Sequence, residues 1–323
     1  MQKERNNTID ILRGIGLFCV IFIHALAYYL NDITAHVFWN YLQFAVQIFV
    51  FCSGYIFFVK YLPQTNFNWL QYFIKRVKRL LIPYYIFLAL FLPIVFFTEP
   101  KKFQIPYIID NLLVKDGIDI NWLILLFIQL TLVTIFLKYA INKKKLLFYL
   151  YTALSFLSSF VFLFYVPHIN YKFYMWLPWS LIIIYCYYFA TYEKNKKFFV
   201  WTTLIFLGVY VSTLLLKQHI DGKLIFFDNK YPPNTFYLFY GLFALNILYL
   251  LIQNKIFHPF QKILSFLSMY SYELYFIHYA VIYVVSTRFP YTSLHWSVFF
   301  VIILFLSVGI QFGINRFGKR LKG

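Results

Sequence analysis

The sequence predicts an all-α, polytopic transmembrane helix bundle of about ten spans with both termini in the cytoplasm. Three observations predict it. Of 323 residues, 62% are hydrophobic and only 12% charged, whereas a soluble domain carries about a quarter charged residues. The apolar residues come in runs of roughly twenty, the length at which a helix crosses a hydrocarbon core with its backbone hydrogen bonds satisfied internally. Finally, the basic residues are distributed by side. The period-two alternation of a membrane barrel is absent.

The spans are read at residues 9–30, 38–59, 80–98, 121–141, 146–166, 174–192, 198–216, 235–253, 267–288 and 296–315. With the N-terminus inside, the cytoplasmic segments hold Lys3, Arg5, Lys60, Lys75, Arg76, Lys78, Arg79, Lys138, Lys143 to Lys145, Lys194, Lys196, Lys197, Lys255, Lys262, Arg316, Lys319, Arg320 and Lys322. The outer side keeps Lys101, Lys102, Lys115, Lys172, Lys217, Lys223, Lys230 and Arg288. This is the positive-inside bias. It turns the net charge of +18 into a topology signal rather than a sign of nucleic-acid binding.

The first span follows a short charged start but contains Asp10, Arg13 and His24, so it reads as a retained helix rather than a cleaved signal. The stretch 61–79, with Pro63 and a basic cluster, is a candidate for an interfacial helix. Residues 1–323 form a single integral membrane domain, with connections too short for an appended catalytic domain. Cys19, Cys52 and Cys186 all fall inside spans and read as packing residues, which excludes a disulfide framework. His36, His168, His219 and His295 are scattered in or beside outer loops without metal-ligand spacing, so no metal is expected. Trp122 and Trp176, at span starts, read as interfacial anchors.

The chemistry concentrates in the first span. Ionisable groups inside a membrane are costly, and their default interpretation is functional. Arg13 and His24 are eleven positions apart, which on a helix puts them on one face about 16 Å apart along the axis. Asp10 lies one turn below Arg13 on nearly the same stripe. The helix thus offers a guanidinium near the inner interface and an imidazole deeper in the bilayer. The structural alternatives are a snorkelling arginine and a core histidine bonded to backbone.

Motifs elsewhere extend the pattern. The Arg13–His24 pair after Ile9-Asp10 resembles the arginine–histidine signature of the membrane acyltransferase-3 family. The run into Ser53-Gly54-Tyr55 resembles its second-span motif, and Arg76–Arg79 followed by Pro83-Tyr84 resembles its Arg-x-x-Arg motif before the third span. Asn121-Trp122-Leu123, Trp176-Leu177-Pro178 and Ser271-Tyr272-Glu273-Leu274-Tyr275-Phe276-Ile277-His278 resemble its later motifs, in the same order.

The resemblance implies a multi-pass acyltransferase of a bacterial plasma membrane. It implies transfer of an acyl group, usually acetyl, from acetyl-CoA on the cytoplasmic side. The implied acceptor is a hydroxyl of an envelope polysaccharide or lipid-linked glycan. Its partners are therefore acyl-CoA, the glycan acceptor and membrane lipids, with no nucleic acid.

The residues suit that chemistry on their own terms. Acyl transfer from a thioester to a hydroxyl needs a base or an acyl-carrying nucleophile, and neutral imidazole serves as either. His24 is the candidate. Arg13, Arg76 and Arg79 are candidate phosphate ligands for the donor, with ordinary positive-inside anchoring as the alternative for Arg76 and Arg79. His278 is a candidate to orient an acceptor or the catalytic imidazole, or else makes a structural hydrogen bond. Ser271 and Tyr275 share a similar face with it. Glu273 is expected to pair with an arginine or with the donor, a structural ion pair being favoured. Asp10 is a candidate to hold Arg13 or orient a partner, with a simple salt bridge as the alternative. Ser53 and Gly54 are expected as small residues that let helices approach. The rival reading is a glycan flippase or small-acid transporter without covalent chemistry.

Overall fold

The computed structural model describes residues 6–320, with side chains to Phe317. Lys3, Arg5 and Lys322 of the predicted cytoplasmic charges lie outside the described residues, and the side chains of Lys319 and Arg320 are not described. The helices, in chain order, are α1 (Asn7–Leu26), α2 (Ile33–Tyr41), α3 (Ala45–Tyr61), α4 (Trp69–Thr98), α5 (Ile105–Leu112), α6 (Asn121–Lys143), α7 (Lys145–Val161), α8 (Trp176–Tyr192), α9 (Lys196–Ile220), α10 (Thr235–Gln253), α11 (Gln261–Met269), α12 (Ser271–Arg288) and α13 (Trp296–Arg320). No strand forms among the described residues. The fold is all-α.

Among the described residues eight segments are long and apolar enough to cross a membrane, with α2 and α3 counted as one continuous stretch. The other two predicted spans are α7, at 17 residues, and α12, at 18. The latter carries Ser271, Glu273, His278, Ser286, Thr287 and Arg288, which lower its hydropathy.

Several boundaries differ from the sequence reading, each for a local reason. The first helix stops at Leu26 because Asn31 and Asp32 start a new one: the Asp32 carboxylate accepts from the Ala35 N–H at 2.8 Å and caps α2. His24 therefore sits in the last turn of α1 rather than inside a span that runs on to residue 30. The third span begins eleven residues early, at Trp69. At 30 residues α4 is about 45 Å long, well over the roughly 30 Å hydrocarbon core. Arg76 and Arg79 ride on the N-terminal turns of α4 rather than on a separate interfacial helix. The ninth span is divided at Tyr270 into α11 and α12.

The described chain sorts into two compact units. Among the described residues the first comprises 6–45, 82–113 and 252–320; the second comprises Val46–Leu81 and Val114–Leu251.

In the first unit α1 is central and packs on α2, α11, α12 and α13. Its apolar residues Leu12, Leu17, Ile21 and Leu26 are fully buried. Gly14 lets α11 approach so closely that a Cβ there would lie 2.2 Å from the Leu264 carbonyl oxygen. The outer half of α4 packs on α12 through aromatic pairs, Phe87 on Phe276 at 4.9 Å and Phe91 on Tyr283 at 5.0 Å between centroids. The Tyr283 hydroxyl donates to Glu99 at 2.7 Å.

The second unit is stitched by buried polar contacts, each of which satisfies a group that lipid could not. Tyr185 donates to the Asn246 side chain at 2.6 Å, and Asn246 donates to Thr203 at 3.0 Å. Gln47 donates to the Tyr237 carbonyl at 2.9 Å. Gly54 faces Cys186, whose sulfur would lie 2.8 Å from an added Cβ, in keeping with a small-residue contact. All three cysteines are buried and form no disulfide. Trp122 is not an interfacial anchor. It is buried, edge-on to Tyr231 at 4.9 Å, with the Lys230 ammonium 5.1 Å from its ring centre.

Lys230, in the outer connection between α9 and α10, is only 3% exposed. Burial pushes its ammonium down to about 7, outweighing the attraction of the two rings that flank it. A lysine with a depressed pKa binds fewer protons folded than unfolded, so stability rises with pH between about 7 and the free-lysine value near 10.4. The melting temperature of the purified protein is expected to increase from pH 7 to pH 9.5. The Lys230→Met variant should lose that component of the slope. An identical slope in both proteins would refute the assignment.

Candidate functional site

The first unit assembles the group of most chemical interest. Asn6 caps α1 by accepting from the N–H groups of Thr8 and Ile9 at 3.1 and 3.3 Å. The capped start fixes the register in which Asp10, Arg13 and His24 follow. Asp10 is buried and accepts a hydrogen bond from Ser268 of α11 at 3.3 Å. No ion pair joins it to Arg13 among the described residues. Arg13 is half-buried and makes no ion pair among the described residues. Its charge remains available to an anionic ligand.

His24 is half-buried, while His278 of α12 is fully buried. They meet. His24 Nδ1 lies 2.9 Å from His278 Nε2, with ring centroids 5.0 Å apart. His278 Nδ1 lies 2.9 Å from the Leu274 carbonyl oxygen, one turn back on the same helix.

These two contacts set the tautomers. A carbonyl oxygen only accepts, so Nδ1 of His278 carries a proton and donates it to Leu274. In the neutral pair, His278 Nε2 is then a lone-pair acceptor, and His24 Nδ1 donates to it. The remaining lone pair falls on His24 Nε2, the nitrogen with the character of a base. When that nitrogen takes a proton, the resulting imidazolium keeps its hydrogen bond to His278. An oriented imidazole held by a second group is the arrangement used by positioned general bases.

The neighbouring predicted residues are placed as follows. Tyr275 is buried, its ring 5.8 Å from that of His278. Ser271 opens α12 and is half-buried. Glu273 is exposed in the first turn of α12, and the ion pair expected of it is not formed among the described residues. Its carboxylate instead suits the positive end of the helix dipole.

In the second unit, Arg76 is half-buried and its Nη2 donates to Ser53 Oγ at 2.6 Å. Ser53 thus does more than permit close approach: it fixes one edge of the guanidinium. Arg79 is exposed one turn further along α4. Sequence reasoning missed Glu193, whose carboxylate accepts from Tyr55 at 2.6 Å and from Tyr249 at 3.0 Å, joining α3 and α10 at the end of α8. The available signal was a lone acid in the basic stretch from Thr191 to Lys197. It also missed Ser268. Leu274 was legible in principle, since a histidine four residues on in a helix reaches that carbonyl.

His168, His219 and His295 are exposed, whereas His36 is half-buried in α2 with its ring stacked on Trp39 at 5.9 Å between centroids. Among the described residues no group of three or more His, Cys, Asp or Glu side chains is arranged to hold a metal.

A family model described as an acyltransferase domain, of the acyltransferase-3 type, matches residues 6–316. No curated protein and no solved structure matches the chain.

Proposed function

This chain belongs to the acyltransferase-3 family of membrane acyltransferases, and from that premise we propose that it is an O-acetyltransferase using acetyl-CoA. The acceptor on this reading is a hydroxyl of an extracytoplasmic or exported envelope glycan in a bacterial plasma membrane. The observation that carries the reading is the chain of hydrogen bonds from His24 through His278 to the Leu274 carbonyl.

His24 Nε2 takes the proton of the acceptor hydroxyl as its oxygen attacks the thioester carbonyl. The carbon–sulfur bond breaks, and the departing thiolate of CoA receives that proton. Acetyl ester and free CoA result, and the imidazole is returned neutral. His278 is a positioning residue that holds the tautomer and accepts from His24 throughout.

The donor carries several phosphates, and each guanidinium read from the sequence, Arg13 in the first unit and Arg76 and Arg79 in the second, is proposed on its own as a phosphate ligand, able to grip phosphate in bidentate fashion. Support for Arg76 is its anchoring by Ser53, which reduces the freedom lost when an anion binds.

The test uses purified full-length protein in lipid nanodiscs, supplied with acetyl-labelled acetyl-CoA and a glycan acceptor. The expected result is CoA release that depends on acceptor, with label recovered in an alkali-labile ester. A carrier that moves glycan or small acids without covalent chemistry would release none. Arg76→Ala is expected to raise the KM for acetyl-CoA about tenfold or more, the loss of one charge-assisted hydrogen-bonded contact. Arg76→Lys should recover only part of it. An unchanged KM would remove Arg76 from the donor's binding.

A further inference from the structure

In the second unit, the segment from Leu62 to Trp69 and the inner end of α6 enclose a groove of about 750 Å³. Its walls are largely apolar, with Phe67, Trp69, Phe136 and Tyr139 the largest of them. Two lysines line it, Lys138 and Lys143, and no acidic residue does.

Lys138 is 5% exposed. Its ammonium donates to the Gln64 carbonyl at 2.8 Å and more weakly to that of Leu62 at 3.4 Å, and lies 5.1 Å from the centre of the Phe67 ring. Carbonyls and a ring orient a cation but do not neutralise it. A lysine buried without a carboxylate among the described residues is costly, and an anionic ligand would repay that cost. Lys143 stands exposed at the groove's edge and begins the run Lys143-Lys144-Lys145.

The side and the rim narrow the ligand. The positive-inside pattern puts this end of α6 at the cytoplasmic face. Trp69 and Tyr139 are 54% and 50% exposed, aromatic residues of the kind that sit at headgroup level. A small inorganic anion makes no use of such a wall. A phosphate ester with acyl chains uses both the cations and the apolar surface.

We propose that this groove binds the headgroup of an anionic phospholipid from the inner leaflet, its phosphate between Lys138 and Lys143 and its glycerol and upper chains against Trp69 and Tyr139. The assignment is independent of the acyl-transfer reading and stands or falls separately from it.

The protein extracted into mild detergent would be incubated with equimolar phosphatidylglycerol and phosphatidylcholine and examined by native mass spectrometry. Wild-type protein is expected to retain phosphatidylglycerol preferentially. Lys143→Gln should weaken that preference roughly fivefold, the effect of one lysine near an anionic surface, and adding Lys138→Gln should abolish it. Should the double variant fail to fold, Lys143→Gln together with Trp69→Ala provides the same readout without disturbing the buried amine. Equal retention of both lipids by wild type, or a preference unchanged in these variants, would overturn the proposal. Displacement of phosphatidylglycerol by equimolar inorganic phosphate or CoA would overturn it as well, by reassigning the groove to a soluble phosphate.

Discussion

Replacing His24 with alanine is expected to reduce acetyl transfer by about 10²–10⁴-fold, the usual contribution of a positioned general base, while the protein still inserts and retains its melting temperature. His24 is only half-buried, so truncation there leaves little cavity and the loss should be one of chemistry. His278→Ala should fall between wild type and His24→Ala. It removes the acceptor for His24 Nδ1 and with it the restraint on the tautomer, yet leaves the imidazole in place. The split between constants distinguishes positioning from mere structural support. The expected pattern is a lower kcat with the KM for acetyl-CoA unchanged, and partial rescue by His278→Gln, whose side-chain oxygen can accept the same hydrogen bond. Acetyl ester measured by carbohydrate NMR provides the cellular readout. Full ester with His24→Ala at normal expression would exclude the imidazole from the reaction.

The second large effect is on the scaffold. At Gly14 an added Cβ would lie 2.2, 2.8 and 2.9 Å from the oxygen, carbonyl carbon and Cα of Leu264. All three are backbone atoms, so no side chain can swing aside, and α11 itself must retreat. Overpacking of this kind costs about 1–3 kcal/mol or more, and here it acts on the helix that carries Arg13 and His24. Gly14→Ala is expected to lower the melting temperature in detergent and reduce activity together. Gly208→Ala is the control, since nothing lies within 4 Å of a Cβ there. It should be neutral or slightly stabilising, because alanine favours helix. Equal effects of the two substitutions would contradict the close contact between α1 and α11.

Much of this was legible in the sequence because membrane helices advertise themselves. Runs of apolar residues and the side-to-side imbalance of Lys and Arg report length and order without any knowledge of packing. Ten spans were read on those grounds, and eight of them correspond to segments long and apolar enough to cross a membrane among the described residues; helical spacing put Arg13 and His24 on one stripe of α1. The meeting of His24 with His278 was not, since 254 positions separate them and no local rule sets the rotation of α12 about its axis.

The expected Asp10–Arg13 and Glu273 ion pairs failed for a related reason. Opposite charges at helical spacing are a local opportunity, whereas Ser268 arrives from another helix. Boundaries were missed where polar residues reset the chain, at Asp32 and at Tyr270. The extra turns of α4 were read instead as part of a separate interfacial helix within 61–79, because Lys75, Arg76, Lys78 and Arg79 end the apolar run by charge, although nothing in them interrupts a helix.

The displacement of His24 to the last turn of α1 has a further consequence. A guanidinium and an imidazole mounted on one rigid rod act as a ruler of about 16 Å. A donor held by its phosphates at Arg13 must extend its thioester over that distance before the imidazole can assist. CoA carries its acyl group on a long flexible arm, and a short activated acid such as acetyl phosphate does not. Selection among donors would then be exercised by reach, with no pocket needed to recognise the acetyl group itself.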